Sequence, residues 1–113
     1  MAGKYNIVAE QGATFTLDFT VSTDGTAWNL STYSATMQVR KSTSASTTLL
    51  NLSEANGNIV LTSSGGVTIT VAAATMANVP SGRWVYDIEL ISAGNQVTRI
   101  LEGRFIVTPE VTQ

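Results

Sequence analysis

The sequence predicts an all-β protein, an antiparallel β-sandwich, on three observations. Apolar and polar residues alternate with a period of two in almost every segment, as in strands with one buried face. Turn signals recur at intervals of about 8 to 12 residues, which is typical of a sandwich of short strands. The long helices that a parallel sheet needs between its strands are not indicated. The length of 113 residues suits one domain, so we assign residues 1–113 to a single sandwich.

The first half of the chain contains four predicted strands. ATFTLDFTV (13–21) alternates strictly, and Asp24 with Gly25 supplies the tight turn after it, beyond which AWNL (27–30) continues. SATMQVRKS (34–42) alternates in the same way. A Ser/Thr-rich loop separates it from TTLLNLS (47–53). We therefore expect polar residues on one face of each strand and apolar residues on the other.

The second half predicts two hairpins joined by a helical turn. NIVLTS (58–63) and VTITVA (67–72) pair across a glycine turn. One short helical turn follows at about residues 73–79, and Pro80 ends it. RWVYDIELI (83–91) and QVTRILEGRFIV (96–107) form the second hairpin, with Gly103 as the expected bulge and Pro109 closing the last strand.

Composition excludes most familiar catalytic and binding classes. The chain has no His and no Cys, so the usual general base, thiol nucleophile and thiolate metal site are missing. Charged residues make up 12% and the net charge is -2, which gives no basic field for nucleic acid or anionic lipid. The N-terminus lacks a secretory signal, and no apolar run is long enough for a membrane helix. We expect no enzyme, cofactor, metal, nucleic-acid or membrane role.

Two carboxylates on one strand form the first candidate site. Asp87 and Glu89 lie two residues apart, on the polar side of RWVYDIELI. Paired carboxylates are what glycoside hydrolysis needs. The interpretation we favour is structural, because residues two apart repeat the outward side of a strand and Arg99 or Arg104 on the next strand can pair with them. The register of the hairpin leaves open which arginine does so.

Aromatic residues form the second candidate site. Trp84 and Tyr86 are interpreted as core, in the way that a tyrosine on such a strand of an immunoglobulin-like sandwich bonds back to the preceding turn. Trp28 lies near a hairpin tip, and Trp28 and Tyr33 could together stack on a sugar. A carbohydrate-binding module thus stays an alternative. The candidate interaction surface consists of Trp28, Tyr33, Asp87, Glu89 and Arg99.

Four stretches together resemble a family of small virion proteins of tailed phages. They are YNIVAEQGATFTLDF, DGTAWNLSTYSATMQVRKS, GVTITVAAATMANVPSGRWVYDIEL and VTRILEGRFIVTPEVT, which cover nearly the full length. The pattern is similar to the immunoglobulin-like N-terminal module of baseplate upper proteins, which hold receptor-binding proteins at the tail tip. The resemblance implies an immunoglobulin-like β-sandwich without enzymatic activity. It also implies a virion part present in many copies and assembled in the host cytoplasm without export.

The likeness to baseplate upper proteins ends with this module. Those proteins continue into a region that carries the receptor binder, whereas this sequence ends four residues after Pro109. We therefore expect attachment through the module's own surface, to other phage structural proteins and to further copies of itself. A tail or baseplate component is the first hypothesis, and a capsid decoration (cement) protein is the alternative.

Overall fold

A computed structural model describes residues 3–109, which form eleven strands and one short helix. Residues 1 and 2 and the predicted tail after Pro109, residues 110–113, lie outside the described residues. The strands are β1 (Gly3–Lys4), β2 (Ile7–Glu10), β3 (Phe15–Thr20), β4 (Ser22–Thr23), β5 (Thr26–Ala27), β6 (Ser34–Arg40), β7 (Leu50–Ser53), β8 (Ile59–Leu61), β9 (Gly66–Val71), β10 (Gly82–Ile91) and β11 (Val97–Thr108), and the helix is α1 (Ala73–Met76).

The larger sheet has the order β1-β11-β10-β6-β7, and β2 continues the line of β1 along β11. β1 and β2 run parallel to β11, and the other ladders of this sheet are antiparallel. The sequence did not predict β1 and β2, and the parallel pairs depart from the expected fully antiparallel arrangement. The physical reason is that the first and last strands meet from opposite ends of the chain, which local alternation does not report.

The smaller sheet has the order β3-β9-β8 and is antiparallel throughout. Its strands correspond to B, E and D of an immunoglobulin domain, and β11, β10, β6 and β7 correspond to G, F, C and C′. β4 and β5 form a separate hairpin on which Asp24 and Gly25 take positive φ, as predicted. AWNL, by contrast, contributes only Ala27 to a strand. The all-β, immunoglobulin-like sandwich with one short helical turn is confirmed.

The core lies between the inner faces of the two sheets. The strands that flank the core place alternate apolar residues inward. On β6, for example, buried and half-buried residues alternate strictly. One cluster joins both sheets. Its largest fully buried side chains are Phe105, Leu30, Met37, Ile59, Ile69, Met76, Ile88, Leu90, Val39, Val67, Val71 and Val79.

The connection between β9 and β10 closes one end of the core. α1 ends at Met76, and the chain turns as far as Val79, so the predicted helical turn at 73–79 is present with a shorter helix. Met76 and Val79 are buried, and the Val79 carbonyl accepts a hydrogen bond of 2.9 Å from Gln11 Nε2. The Trp84 indole N–H donates to the Pro80 carbonyl over 2.8 Å. Trp84 is half-buried and packs against the core, whereas the sequence predicted it as a core residue.

Tyr86 fastens the N-terminal strand to the sandwich. Its side chain is 4% exposed, and its hydroxyl donates to the Tyr5 carbonyl over 2.6 Å. The sequence predicted a bond to the preceding turn, so its partner is corrected to the bend between β1 and β2. Desolvation by burial, with a smaller contribution from Tyr5, raises the pKa of Tyr86 to about 12.

Gly103 allows this close approach and is not the bulge. A Cβ at this position would collide with the Tyr5 carbonyl, since the backbone of Tyr5 lies directly against Gly103. The register of the β10–β11 ladder instead shifts between Ile88 and Glu89, which stand opposite Leu101 and Arg99. Ile100 is therefore the extra residue of β11, three positions earlier than predicted.

Candidate interaction surfaces

Arg99 lies among three carboxylates on the outer face of the larger sheet. The extra residue in β11 brings Arg99 opposite Glu89, on the face that also carries Asp87. Arg99 Nε is 3.4 Å from Asp87 Oδ2, Nη2 is 3.9 Å from Glu89 Oε2, and Nη1 is 3.4 Å from Glu102 Oε1. The sequence predicted Asp87, Glu89 and Arg99 as neighbours, and left Arg104 open as the partner. The structure selects Arg99 and adds Glu102.

This group contributes little to stability and carries a net negative charge. The Arg99 side chain is 51% exposed, and its three partners are 33 to 36% exposed. Solvent-exposed ion pairs are worth about 0 to 1 kcal/mol each. Three carboxylates and one guanidinium leave a formal charge of -2. What the group offers is therefore a local negative potential on an accessible sheet face.

Basic side chains lie on the same face, one step along the strands. Lys4 stands opposite Glu102, and Arg104 and Arg40 stand on either side of Val85. With the Arg99 group they surround a shallow depression of ≈ 510 Å³. The position of Arg40 could be predicted from the sequence, because alternation places it on the polar face of its strand. The position of Lys4 could not be predicted, because it belongs to a strand that the sequence did not indicate.

Trp28 and Tyr33, the two predicted stacking residues, contact each other but do not form one flat platform. Their ring centroids are 6.1 Å apart, and the ring planes are inclined at 44°. The Trp28 indole N–H donates to Thr23 Oγ1 over 2.8 Å, which fixes the ring against the β4–β5 hairpin. Both residues are half-buried and pack against the core. The pair thus offers one tilted ring edge rather than two coplanar rings.

A lateral cleft is lined by one residue from each of the two predicted groups. It has a volume of ≈ 770 Å³ and lies between β3 of the smaller sheet and β1 and β11 of the larger sheet. Trp28 and Arg99 both line it. Its apolar lining, which no single segment of the sequence indicates, consists of half-buried side chains from both sheets: Leu17, Phe19, Val21, Ile100 and Leu101.

The side of β3 that borders this cleft is an unpaired strand edge. The Thr70 N–H on β9 donates to the Asn58 carbonyl, toward β8. Thr16 stands opposite Thr70, so its own N–H and C=O point away from β9. Asp18 and Thr20 repeat this direction along the strand. Within residues 3–109 no strand pairs with β3 on that side.

Comparisons with known proteins add no relative. No protein-family model matches this chain, and no curated protein matches its sequence. The likeness to phage virion modules therefore rests on the four quoted stretches. In the part of the chain that is described, no three His, Cys, Asp or Glu side chains are grouped so that they could hold a metal ion. Over the same residues, no helix has the length and hydropathy to span a membrane.

Proposed function

We propose that this chain is a non-enzymatic structural protein of a tailed phage particle, a tail or baseplate component that acts by protein–protein assembly. The sequence resemblance suggests the particle, and the unpaired edge of β3 is the observation that supports assembly as the mode of action. In this proposal the protein is made in the host cytoplasm and joins the particle there. Its partners are other phage structural proteins and further copies of itself.

The physical argument is that an unpaired strand edge beside an apolar cleft fits an extended segment of another chain. The edge offers the N–H and C=O groups of Thr16, Asp18 and Thr20. Added strands gain affinity from main-chain hydrogen bonds and specificity from pockets for alternate side chains. Leu17 and Phe19 on the inner side of β3 lie in the cleft, where such side chains would enter. Natural proteins commonly blunt free edges with charges or Pro, and this six-residue edge carries one charged residue, Asp18, and no Lys or Pro.

Localisation in purified particles is the first test. We expect mass spectrometry of purified virions to find this chain in many copies, in constant ratio to a tail or baseplate protein. Immunogold labelling at the tail end supports the first hypothesis. Labelling over the head instead supports the capsid decoration alternative. If the chain is missing from particles whose other proteins are fully represented, the virion proposal is wrong.

A matched pair of variants tests the β3 edge. Asp18→Pro removes an N–H that bonds to no strand within residues 3–109, whereas Asp18→Thr changes the side chain and keeps that N–H. We expect both variants to fold, as measured by circular dichroism. Incorporation into particles should fall at least about tenfold for Asp18→Pro if a strand adds here, since backbone pairing gives the affinity. Equal incorporation of the two variants would contradict an edge contact.

A further inference from the structure

The outer face of the larger sheet carries an arrangement of charges that is complementary to itself. Counted from the C-terminal end of β10, Glu89 and Asp87 come first, Val85 follows, and Arg83 is last. On β11, Glu102 stands opposite Asp87, and Arg104 stands opposite Val85. The carboxylates therefore lie in one half of the face, together with Arg99 and Lys4, and the other half carries only basic charges, with Tyr86 on the inner side at the boundary.

Two arginines of the basic half form no salt bridge with any residue from 3 to 109. Over residues 3–109 the three salt bridges all involve Arg99, and none involves Arg83 or Arg104. Both of these arginines are exposed. The acidic group keeps a formal charge of -2 after its pairing with Arg99. Arg83, Arg104 and Lys4 thus form no salt bridge among residues 3–109, on a sheet face that also carries an excess of negative charge around Arg99.

From this we infer that the outer face of the larger sheet binds the same face of a second copy, by a two-fold contact in which Arg104 and Arg83 meet Glu102 and Glu89 of the other copy. The inference rests on the proposed function, because it names one partner of a protein that assembles. A two-fold contact is self-complementary, so each ion pair forms twice.

The register of the strands supports the pairing. A two-fold axis between the faces, perpendicular to the strands at the level of Tyr86, reverses the strand direction of the second copy. Positions one residue before and one after this level then meet, so Arg104 faces Glu102. Positions three residues before and after it also meet, so Arg83 faces Glu89. Both predicted pairs join opposite charges.

The size of the face indicates a weak contact. Three strands about 4.8 Å apart and nine residues long, at about 3.3 Å per residue, give roughly 450 Å² per copy. Stable complexes bury about 800 Å² per partner. We therefore expect a dissociation constant near the millimolar range in solution. Within an assembly, the high local concentration of copies of this chain would allow such a weak contact to form.

Two variants that associate only with each other test the inference. In Arg104→Glu both contacts become Glu facing Glu102, and in Glu102→Arg both become Arg facing Arg104. A mixture of the two restores opposite charges at both contacts. By sedimentation equilibrium at up to about 1 mM, we expect each variant alone to dimerise at least about tenfold more weakly than the unchanged chain, and the mixture to regain its affinity within about threefold.

Controls separate this contact from general charge effects. Lys41→Glu changes the net charge as Arg104→Glu does, but Lys41 lies beyond the end of β6; it should leave dimerisation unchanged. Dimerisation should also weaken as ionic strength rises. If Glu102→Arg does not fold by circular dichroism, Arg83→Glu mixed with Glu89→Arg makes the same test. A mixture that associates no better than its separate components overturns the inference.

Failure of this contact and failure of the virion proposal give different results. If the mixture fails to associate but the chain is present in particles, the two-fold contact is wrong and the proposed function stands. If the mixture associates but the chain is missing from particles, the two-fold contact stands and the virion proposal is wrong.

Discussion

The two faces of β10 differ in what they contribute to the molecule. The inner face carries Tyr86, Ile88 and Leu90, all buried, and Ile88 and Leu90 have no exposed surface. The outer face carries Asp87 and Glu89, each about one third exposed and paired with Arg99. Burial of apolar area stabilises a fold strongly, whereas exposed ion pairs do so weakly. The inner face of β10 therefore provides stability, and its outer face provides side chains that are accessible to a partner.

Truncation of the inner face should give the largest effect. Ile88→Ala removes three carbons from a fully buried site, and we expect a loss of about 2 to 5 kcal/mol in the free energy of unfolding. Urea denaturation followed by tryptophan fluorescence measures it. The matched control is Ile91→Ala on the half-buried outer side, expected to cost less than about 1 kcal/mol. Equal losses would contradict the division between the faces.

Loss of the Tyr86 hydroxyl should give the next largest effect. Tyr86→Phe leaves the Tyr5 carbonyl without its 2.6 Å bond, which we expect to cost about 1 to 2 kcal/mol at neutral pH. Chemical denaturation of the two proteins compares them. Tyr33→Phe is the control, because the Tyr33 side chain is half-buried and its hydroxyl forms no hydrogen bond with another described residue. A larger loss in Tyr33→Phe would argue against the role given to Tyr86.

Alkaline pH should weaken the same bond. Tyrosine in the unfolded chain has a pKa of about 10, and burial raises the pKa of Tyr86 to about 12 in the fold. The stabilisation is therefore complete below about pH 10, and it is lost as pH rises toward about 12. Two pH units correspond to roughly 2 to 3 kcal/mol. Tyr86→Phe should be less sensitive over this window, and identical pH profiles would contradict the assignment.

Removal of one outer carboxylate should give the smallest effect. Asp87→Asn leaves Arg99 paired with Glu89 and Glu102, and we expect a loss of at most about 1 kcal/mol. The loss should shrink at high ionic strength, because exposed charges are screened. Thermal unfolding at low and high salt measures both. A loss as large as that of Ile88→Ala would place the outer face among the determinants of stability.

Sequence alternation and turn residues were sufficient to predict the features that depend on residues close together in the chain. The sequence predicted the inner and outer faces of β10, the Asp24 turn and the helical turn before Pro80. It did not predict the pairing of β1 with β11, since these strands are separated by nearly the whole chain. It also placed the bulge at Gly103 rather than Ile100, because a glycine needed for close approach has the same local signature as a bulge.

The candidate surfaces show the same limit. Asp87, Glu89 and Arg99 were predicted as a group because adjacent strands of a hairpin bring them together. The lateral cleft was not predicted, since its walls come from β1, β3 and β11, whose positions depend on how the two sheets pack. Residue types alone do not report such long-range packing.

Amide hydrogen exchange of β3 in the free chain and in purified particles tests the central claim most directly. The N–H groups of Thr16, Asp18 and Thr20 point to an open edge in the isolated chain, so we expect them to exchange rapidly there. If another chain adds to this edge in the particle, their exchange should slow by at least about tenfold. The Ile69 N–H on central β9 is the internal reference. Equal exchange of the β3 edge in both states would contradict assembly through that edge.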